Sequence, residues 1–329
     1  MDVYDITIIG GGPTGLFGSF YAGLRGLKTK LIDVLPELGG QLTALYPEKY
    51  VYDVAGHPKI LAKDLAKNLA TQAQLFKATM ALGEKVMSLE KGEDNIYKII
   101  TDKNTEHYSK TLLLALGAGA CVPKRLDIDY DRNMESECIF YAVKNKERFR
   151  EKNVLIVGGG DSAVDWANEF AHIAKNVTLI HRRDQFRAVQ TSVEEMAKNK
   201  VDVRTFYELK QIVGNGHVEG AVIFDNRTGK EEKIDVDAIL INIGFVINLD
   251  FLKAWGLEME VNAIKVNEKM ETNLPGIFAA GDIAAHTAKL KLIATGAAEA
   301  ATGVNFAVVY LNPSAKAFPG HSSNLNLSI

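Results

Sequence analysis

The chain has 329 residues, 47% of them hydrophobic, 24% charged and 8% aromatic. At about 150 residues per domain this suffices for two domains with real cores, and it argues against a disordered or fibrous chain. The 38 basic residues nearly cancel the 41 acidic ones, leaving a formal charge of -3 that gives no sign of a nucleic-acid binder. The two cysteines, Cys121 and Cys138, form neither a CxxC pair nor a ligand cluster, which argues against a disulfide framework and a metal site.

In chain order, Met1-Asp2-Val3-Tyr4-Asp5 carries no basic region, and the apolar run after it stops at glycines after four residues. No signal peptide and no membrane span are expected, and a cytoplasmic protein is the simple consequence. Residues 6–9 read as a strand, 16–24 as a helix and 29–32 as a second strand, with Gly10-Gly11-Gly12-Pro13-Thr14-Gly15 at the first turn. The same succession returns 148 positions later: strand 154–157, Gly158-Gly159-Gly160-Asp161-Ser162-Ala163, helix 164–171 and strand 177–180. Each copy is a βαβ unit whose second strand ends 23 positions after the first glycine, at Asp33 and at His181.

Such glycines serve a phosphate. The first permits the tight turn, the second lets backbone approach a pyrophosphate, and the third, Gly15 or Ala163, lets helix and strand pack closely. The helix N-terminus then offers free N–H groups and a positive dipole end. Asp33 is the acid expected to accept hydrogen bonds from an adenosine ribose, as FAD or NAD presents it. The second copy has His181-Arg182-Arg183 there, with Arg187 one helical turn later, and guanidiniums pair with a 2′-phosphate that a carboxylate would repel. The second site is therefore expected to prefer NADP(H).

Strands at 112–116 and 239–243 end in Gly117-Ala118-Gly119 and Gly244, where hinges are expected. The fold class is α/β, with two Rossmann-like, three-layer dinucleotide-binding domains. Residues 1–117 and 246–329 would form a discontinuous FAD domain and 118–245 an inserted NADP(H) domain. From Asn312 onward the sequence looks irregular.

Over its whole length the chain resembles the low-molecular-weight thioredoxin reductases, through the paired glycine motifs, Gly39-Gly40-Gln41, His181-Arg182-Arg183 with Phe186-Arg187, and Phe278-Ala279-Ala280-Gly281-Asp282. The resemblance implies that Gly10, Gly12, Pro13, Thr14, Gly15, Asp33, Gln41, Gly281, Asp282 and Thr295 hold FAD, with a helix from about residue 292 aimed at the flavin pyrimidine. It likewise implies that Gly158, Gly160, Asp161, Ser162, Ala163, His181, Arg182, Arg183 and Arg187 hold NADP(H). Thioredoxin reductases need a CxxC relay just before the second glycine motif, where this chain has only Glu137-Cys138-Ile139; the larger disulfide reductases place theirs where Leu38-Gly39-Gly40-Gln41-Leu42 stands. Cys138 and Cys121 are expected to be small buried residues.

Leu45-Tyr46-Pro47-Glu48-Lys49-Tyr50, Tyr52-Asp53-Val54-Ala55-Gly56 and Asp161-Ser162-Ala163-Val164-Asp165-Trp166 closely resemble the thioredoxin-reductase-like ferredoxin/flavodoxin–NADP+ reductases of bacteria and archaea. That family implies a homodimer in which Tyr46 stacks on one flavin face and His321, from the partner's tail, on the other. These two gate the flavin, and no obligate acid or base is required. The reaction implied is hydride transfer between nicotinamide and flavin, coupled to one-electron exchange with ferredoxin or flavodoxin. An acidic ferredoxin would want a local basic face, for which Lys144, Lys146, Arg148, Arg150 and Lys152 are candidates alongside a plain solvated helix face. Two other readings stay open: an NADPH-dependent flavin reductase or diaphorase acting on a quinone or disulfide protein, and a non-catalytic flavin-containing redox sensor.

Overall fold

The computed structural model describes residues 2–324, without the side chains of residues 120–122, 247, 248 and 324. The chain divides into two compact units, Met1–Ala120 with Ile247–Ile329, and Cys121–Val246. The second unit is thus inserted in the sequence of the first.

In the first unit Val3–Ile9 lies at the centre of a parallel array, bonded to Thr29–Asp33 on one side and Glu106–Leu114 on the other, with Thr79–Leu82 outside Thr29–Asp33. Glu106–Leu114 has two further partners. Its first half runs antiparallel to Tyr97–Thr101, and its second half runs parallel to Ile277–Ala279, which knits the returning segment into the same sheet. Strands covered on both faces read as unbroken apolar runs, and alternate side chains go to opposite faces. Ile6, Ile8, Leu31 and Leu113 pack with Leu16 of the helix Pro13–Leu24 and Ala300 of the helix Ile293–Leu311, whereas Ile9, Ile32, Leu112 and Leu114 join a separate core.

The second unit repeats this plan. Its strands run Ile139–Phe140, Ala238–Asn242, Asn153–Gly158, Asn176–His181, Asp202–Thr205, all parallel, with the glycine strand again central. Val154, Ile156, Val177 and Leu179 face the helix Asp161–Phe170, while Leu155, Val157 and Ile180 pack with a three-stranded antiparallel sheet, Tyr207–Val213, Gly220–Asp225 and Glu231–Ile234. Phe170 stacks on Phe149 at 4.3 Å and on Trp166 at 5.3 Å between centroids. Such pairs add about 0.5–1.5 kcal/mol each beyond area burial and anchor the helix that starts at the glycine turn. The duplication therefore extends from the glycines to the strand order.

Candidate functional site

The first glycines have one job in both copies. Gly10 (φ +114) and Gly158 (φ +153) press against the strand that returns beside them, so that a Cβ would lie 2.3 Å from the carbonyl oxygen of Ala115 or of Asn242. The third position differs: a Cβ on Gly15 would sit 1.8 Å from the Gly10 oxygen, whereas the second helix stands far enough off to admit the methyl of Ala163. The second glycines have no such protein neighbour. A Cβ on Gly160 would meet nothing within 4 Å, and one on Gly12 only the Gly40 Cα at 3.9 Å. Glycine at these two positions is required by nothing in the protein, which is what a close-approaching phosphate would leave behind. Neither of the two helices that start here carries a side-chain cap on its first N–H groups, so these remain available to an anion.

Around the first turn the other FAD-motif residues converge. Asp33 accepts the backbone N–H of Gly11 and, at 2.6 Å, that of Leu35. Burial holds its carboxyl above the ordinary carboxylate value, opposed by those two hydrogen bonds. Gly39 donates to the Gly11 oxygen at 2.9 Å, and a Cβ on Gly40 would lie 2.8 Å from the Gly12 Cα, so the Gly39-Gly40 turn that leads into Gln41 lies directly on the phosphate turn. Thr14 Oγ1 would sit 2.6 Å from a Cβ on Gly281 and 2.3 Å from one on Gly296, next to Thr295. Pro13 occupies the first helical turn, Asp282 comes after Gly281 in a short 3-10 turn, and Tyr46 packs in the small cluster that includes Leu42 and Ile293, the first residue of the C-terminal helix.

In the second unit a cleft of about 540 Å³ is lined by Gly158, Gly160, Asp161, Ser162, His181, Arg182, Arg183 and Arg187, so one cavity collects the residues expected to hold NADP(H), Ala163 being buried behind them. His181 stacks on Phe186 at 5.1 Å, and its Nε2 lies 3.1 Å from the Gln185 oxygen. Burial, seconded by Arg182, Arg183 and Arg187, pushes its imidazole below the ordinary value. Arg187 does not sit on a helix, contrary to the spacing-based expectation. Its backbone N–H donates to the Gly159 oxygen at 2.7 Å, and the Asp161 carboxylate takes the Val189 N–H at 3.1 Å, so the loop is tied back to the glycine turn with its arginine exposed.

Several residues in these sites escaped the sequence reading. Tyr141, Tyr207 and Asn242 also line the cleft, and Asn242 Oδ1 is buried with no hydrogen-bond partner among the described residues. Its place at the carboxyl end of a central parallel strand was the available signal, since ligands bind there in open α/β sheets. In the first unit, Glu299 is the single charged residue in the helix Ile293–Leu311, and it binds Gly281, His286 and Lys289.

Cys138 is buried, with its thiol 3.7 Å from the Met134 oxygen, while the side chain of Cys121 lies outside the described residues. The run from Lys144 to Lys152 forms only the 3-10 turn Lys146–Phe149 and not a longer helix. Three of its cations are spent on acids: Lys146 on Glu169 (3.1 Å), Arg148 on Glu137 (3.0 Å) and Arg150 on Glu147 (2.7 Å). His321 is exposed and meets the Phe318 ring edge-on at 5.5 Å. Among the described residues no helix is long and apolar enough to cross a membrane.

The open space at Gly12 and Gly160, the uncapped helix starts and the orphaned Asn242 oxygen fit two dinucleotides. The chain is 50% identical over 98% of both lengths to a ferredoxin–NADP reductase of Halalkalibacterium halodurans, and 51% identical to ferredoxin–NADP reductase 2 of Sulfolobus acidocaldarius over 99% of this chain and 98% of that one. A solved thioredoxin reductase of Lactococcus lactis matches with a TM-score of 0.76 at 26% identity, over 94% of this chain and 99% of that one. Residues 4–302 match the family model of pyridine nucleotide-disulphide oxidoreductases, and the chain belongs to that family.

Proposed function

We propose that this chain is a ferredoxin (or flavodoxin)–NADP+ oxidoreductase, with FAD in the first unit and NADP(H) in the second. One observation carries the reading: two copies of one cradle, one closed by Asp33 and the other by His181-Arg182-Arg183, in a chain whose described thiol is single and buried. Near-full-length relatives that bear the name ferredoxin–NADP reductase support it. Bound flavin supplies the exchange between hydride and single electrons.

The protein's part is to bind and orient. Gly12 and Gly160 admit the pyrophosphates to the helix N-termini, and Asp33 accepts ribose hydroxyls. Arg182, Arg183 and Arg187 select the 2′-phosphate, while Gln41, Asp282 and the helix end around Thr295 hold the flavin side. Tyr46 covers one flavin face and keeps water from it. His321 covers the other from a partner copy in a homodimer, and one of the two must move before nicotinamide arrives. A cytoplasmic setting suits an enzyme that draws on the NADP(H) pool.

The test is an anaerobic assay of the purified protein with NADPH and cytochrome c, with and without added ferredoxin or flavodoxin. NADPH should bleach the flavin, NADH should do so poorly, and the carrier should stimulate cytochrome reduction. No stimulation by any ferredoxin or flavodoxin would overturn the proposal.

A further inference from the structure

Glu299 is buried in an otherwise uncharged helix. A carboxylate in such a place is costly unless paired and hydrogen-bonded, so its partners are informative. Its Oε2 accepts the Gly281 N–H at 2.8 Å and the Lys289 ammonium at 2.6 Å, and its Oε1 accepts Lys289 at 2.8 Å and lies 2.9 Å from His286 Nε2. Lys289, whose side chain is only 11% exposed, also donates to the Gly281 carbonyl oxygen at 2.7 Å.

Both backbone polar groups of Gly281 are therefore held by the two members of one buried ion pair. Gly281 has φ +78, and both it and Gly296 press on Thr14 so closely that neither admits a Cβ. The pair thus holds together the start of the first helix, the Gly281–Asp282 turn and the first turns of the C-terminal helix. Apolar residues would often stabilise such a core equally well, but they could not satisfy an N–H and a C=O together. A lysine–glutamate pair does so and adds no net charge.

We propose that Glu299 and Lys289, steadied by His286, are positioning residues for the flavin nucleotide. They set the orientation of the Gly281 peptide, and with it the direction in which Asp282 and the N-terminus of Ile293–Leu311 are presented. The proposal deepens the reading of the first unit as the FAD site and rests on it.

Three variants of the full-length holoprotein test it: Glu299→Gln, Lys289→Met and the two together, each read for melting temperature, FAD dissociation constant and flavin absorption spectrum. Glu299→Gln leaves the Lys289 ammonium buried without its counter-charge, and Lys289→Met leaves the Glu299 carboxylate with only His286 beside it, so each should lower the melting temperature and weaken FAD binding about tenfold or more, with a shifted spectrum. In the double variant no charge is stranded. Its melting temperature should recover while FAD affinity and spectrum stay altered, because the Gly281 carbonyl oxygen has lost its ammonium donor and its N–H keeps only a neutral amide oxygen as acceptor. Wild-type affinity and spectrum in the double variant, or recovery of affinity in step with melting temperature, would overturn the positioning role. Wild-type protein that takes up no FAD would instead remove the FAD reading itself, and this proposal with it.

Discussion

The carboxylate of Asp33 accepts the backbone N–H of Gly11, and at the equivalent place in the second unit the imidazole of His181 lies so close to Gly159 that a Cβ there would meet Nδ1 at 2.3 Å. In both copies the side chain that ends the second strand lies on the middle glycine of the turn. In the first this fixes an acid at the lip of the cradle. In the second it fixes a ring, held also by Phe186 and the Gln185 carbonyl, from which the arginines extend. Under the proposed function, one scaffold would thus acquire two nucleotide preferences from the residues at and just beyond the same strand end.

The glycines of the second turn should separate by function when replaced. Gly158→Ala forces a Cβ to 2.3 Å from the Asn242 oxygen at φ +153, so it should cost about 2–4 kcal/mol and lower the melting temperature visibly. Gly160→Ala enters empty space at an ordinary φ of -97 and should leave the melting temperature within about 1–2 °C, yet raise the KM for NADPH about tenfold or more. Calorimetry and steady-state kinetics on the two variants decide it. An unchanged KM in Gly160→Ala would show that no phosphate approaches there.

Arg182 and Arg183 are exposed in the cleft, and no described hydrogen bond or ion pair occupies either guanidinium. Replacing both with alanine should leave stability nearly unchanged and raise the KM for NADPH about 10- to 100-fold, since a hydrogen bond to a charged group contributes about 1.5–3 kcal/mol. The KM for NADH should move little. Equal effects on both coenzymes would show that the arginines do not read the 2′-phosphate.

Asp33 should make FAD binding depend on pH if it accepts the ribose hydroxyls as proposed. Its folded-state carboxyl lies above 3.8, chiefly through burial, so the folded protein holds that proton more tightly than the unfolded chain. The resulting stability is fully present below 3.8 and is lost as pH rises through the folded value. A ribose hydroxyl pair donates best to an ionised acceptor, so on the proposed reading the affinity of the first unit for FAD should fall as pH drops through that same folded value. Titrations of FAD into wild-type and Asp33→Asn apoprotein across the acid range check this. A pH dependence that survives in Asp33→Asn belongs to another group.

The two βαβ units were legible because glycine turns, strand lengths and helical spacing all act locally. The parallel pairing of the two strands within each unit follows from the βαβ crossover itself, whereas the order of the remaining strands was not read from the sequence. The features that stayed hidden depend on distance in sequence. Nothing local ties Lys289 to Gly281 and Glu299, although a lone charge in a helix of alanines, glycines and valines was a readable anomaly. Lys146 and Arg148 looked free because their partners Glu169 and Glu137 lie outside the run from Lys144 to Lys152. Arg187 looked helical by count, but its N–H goes to the Gly159 oxygen instead of into a helical ladder.

The tail offers a last test, through the residue that fastens it. Arg25 ends the first helix, donates to the carbonyl oxygens of Lys316 and Ala317 at 3.0 Å each, and also binds Asn305. The chain is thereby held as far as Ala317, and beyond Gly320, at φ +102, His321 stands exposed. If His321 covers a partner's flavin, Arg25 governs where the tail departs, and Arg25→Ala should act through the tail alone. Flavin fluorescence and diaphorase rate should then change in the same direction in Arg25→Ala as in a protein cut after Asn312, with FAD content and dimer mass preserved. Adding Arg25→Ala to the truncated protein should change nothing further, because two changes acting through one element are not additive. Additive effects would place Arg25 in a separate role, and an unaltered flavin signal after truncation would remove His321 from the site.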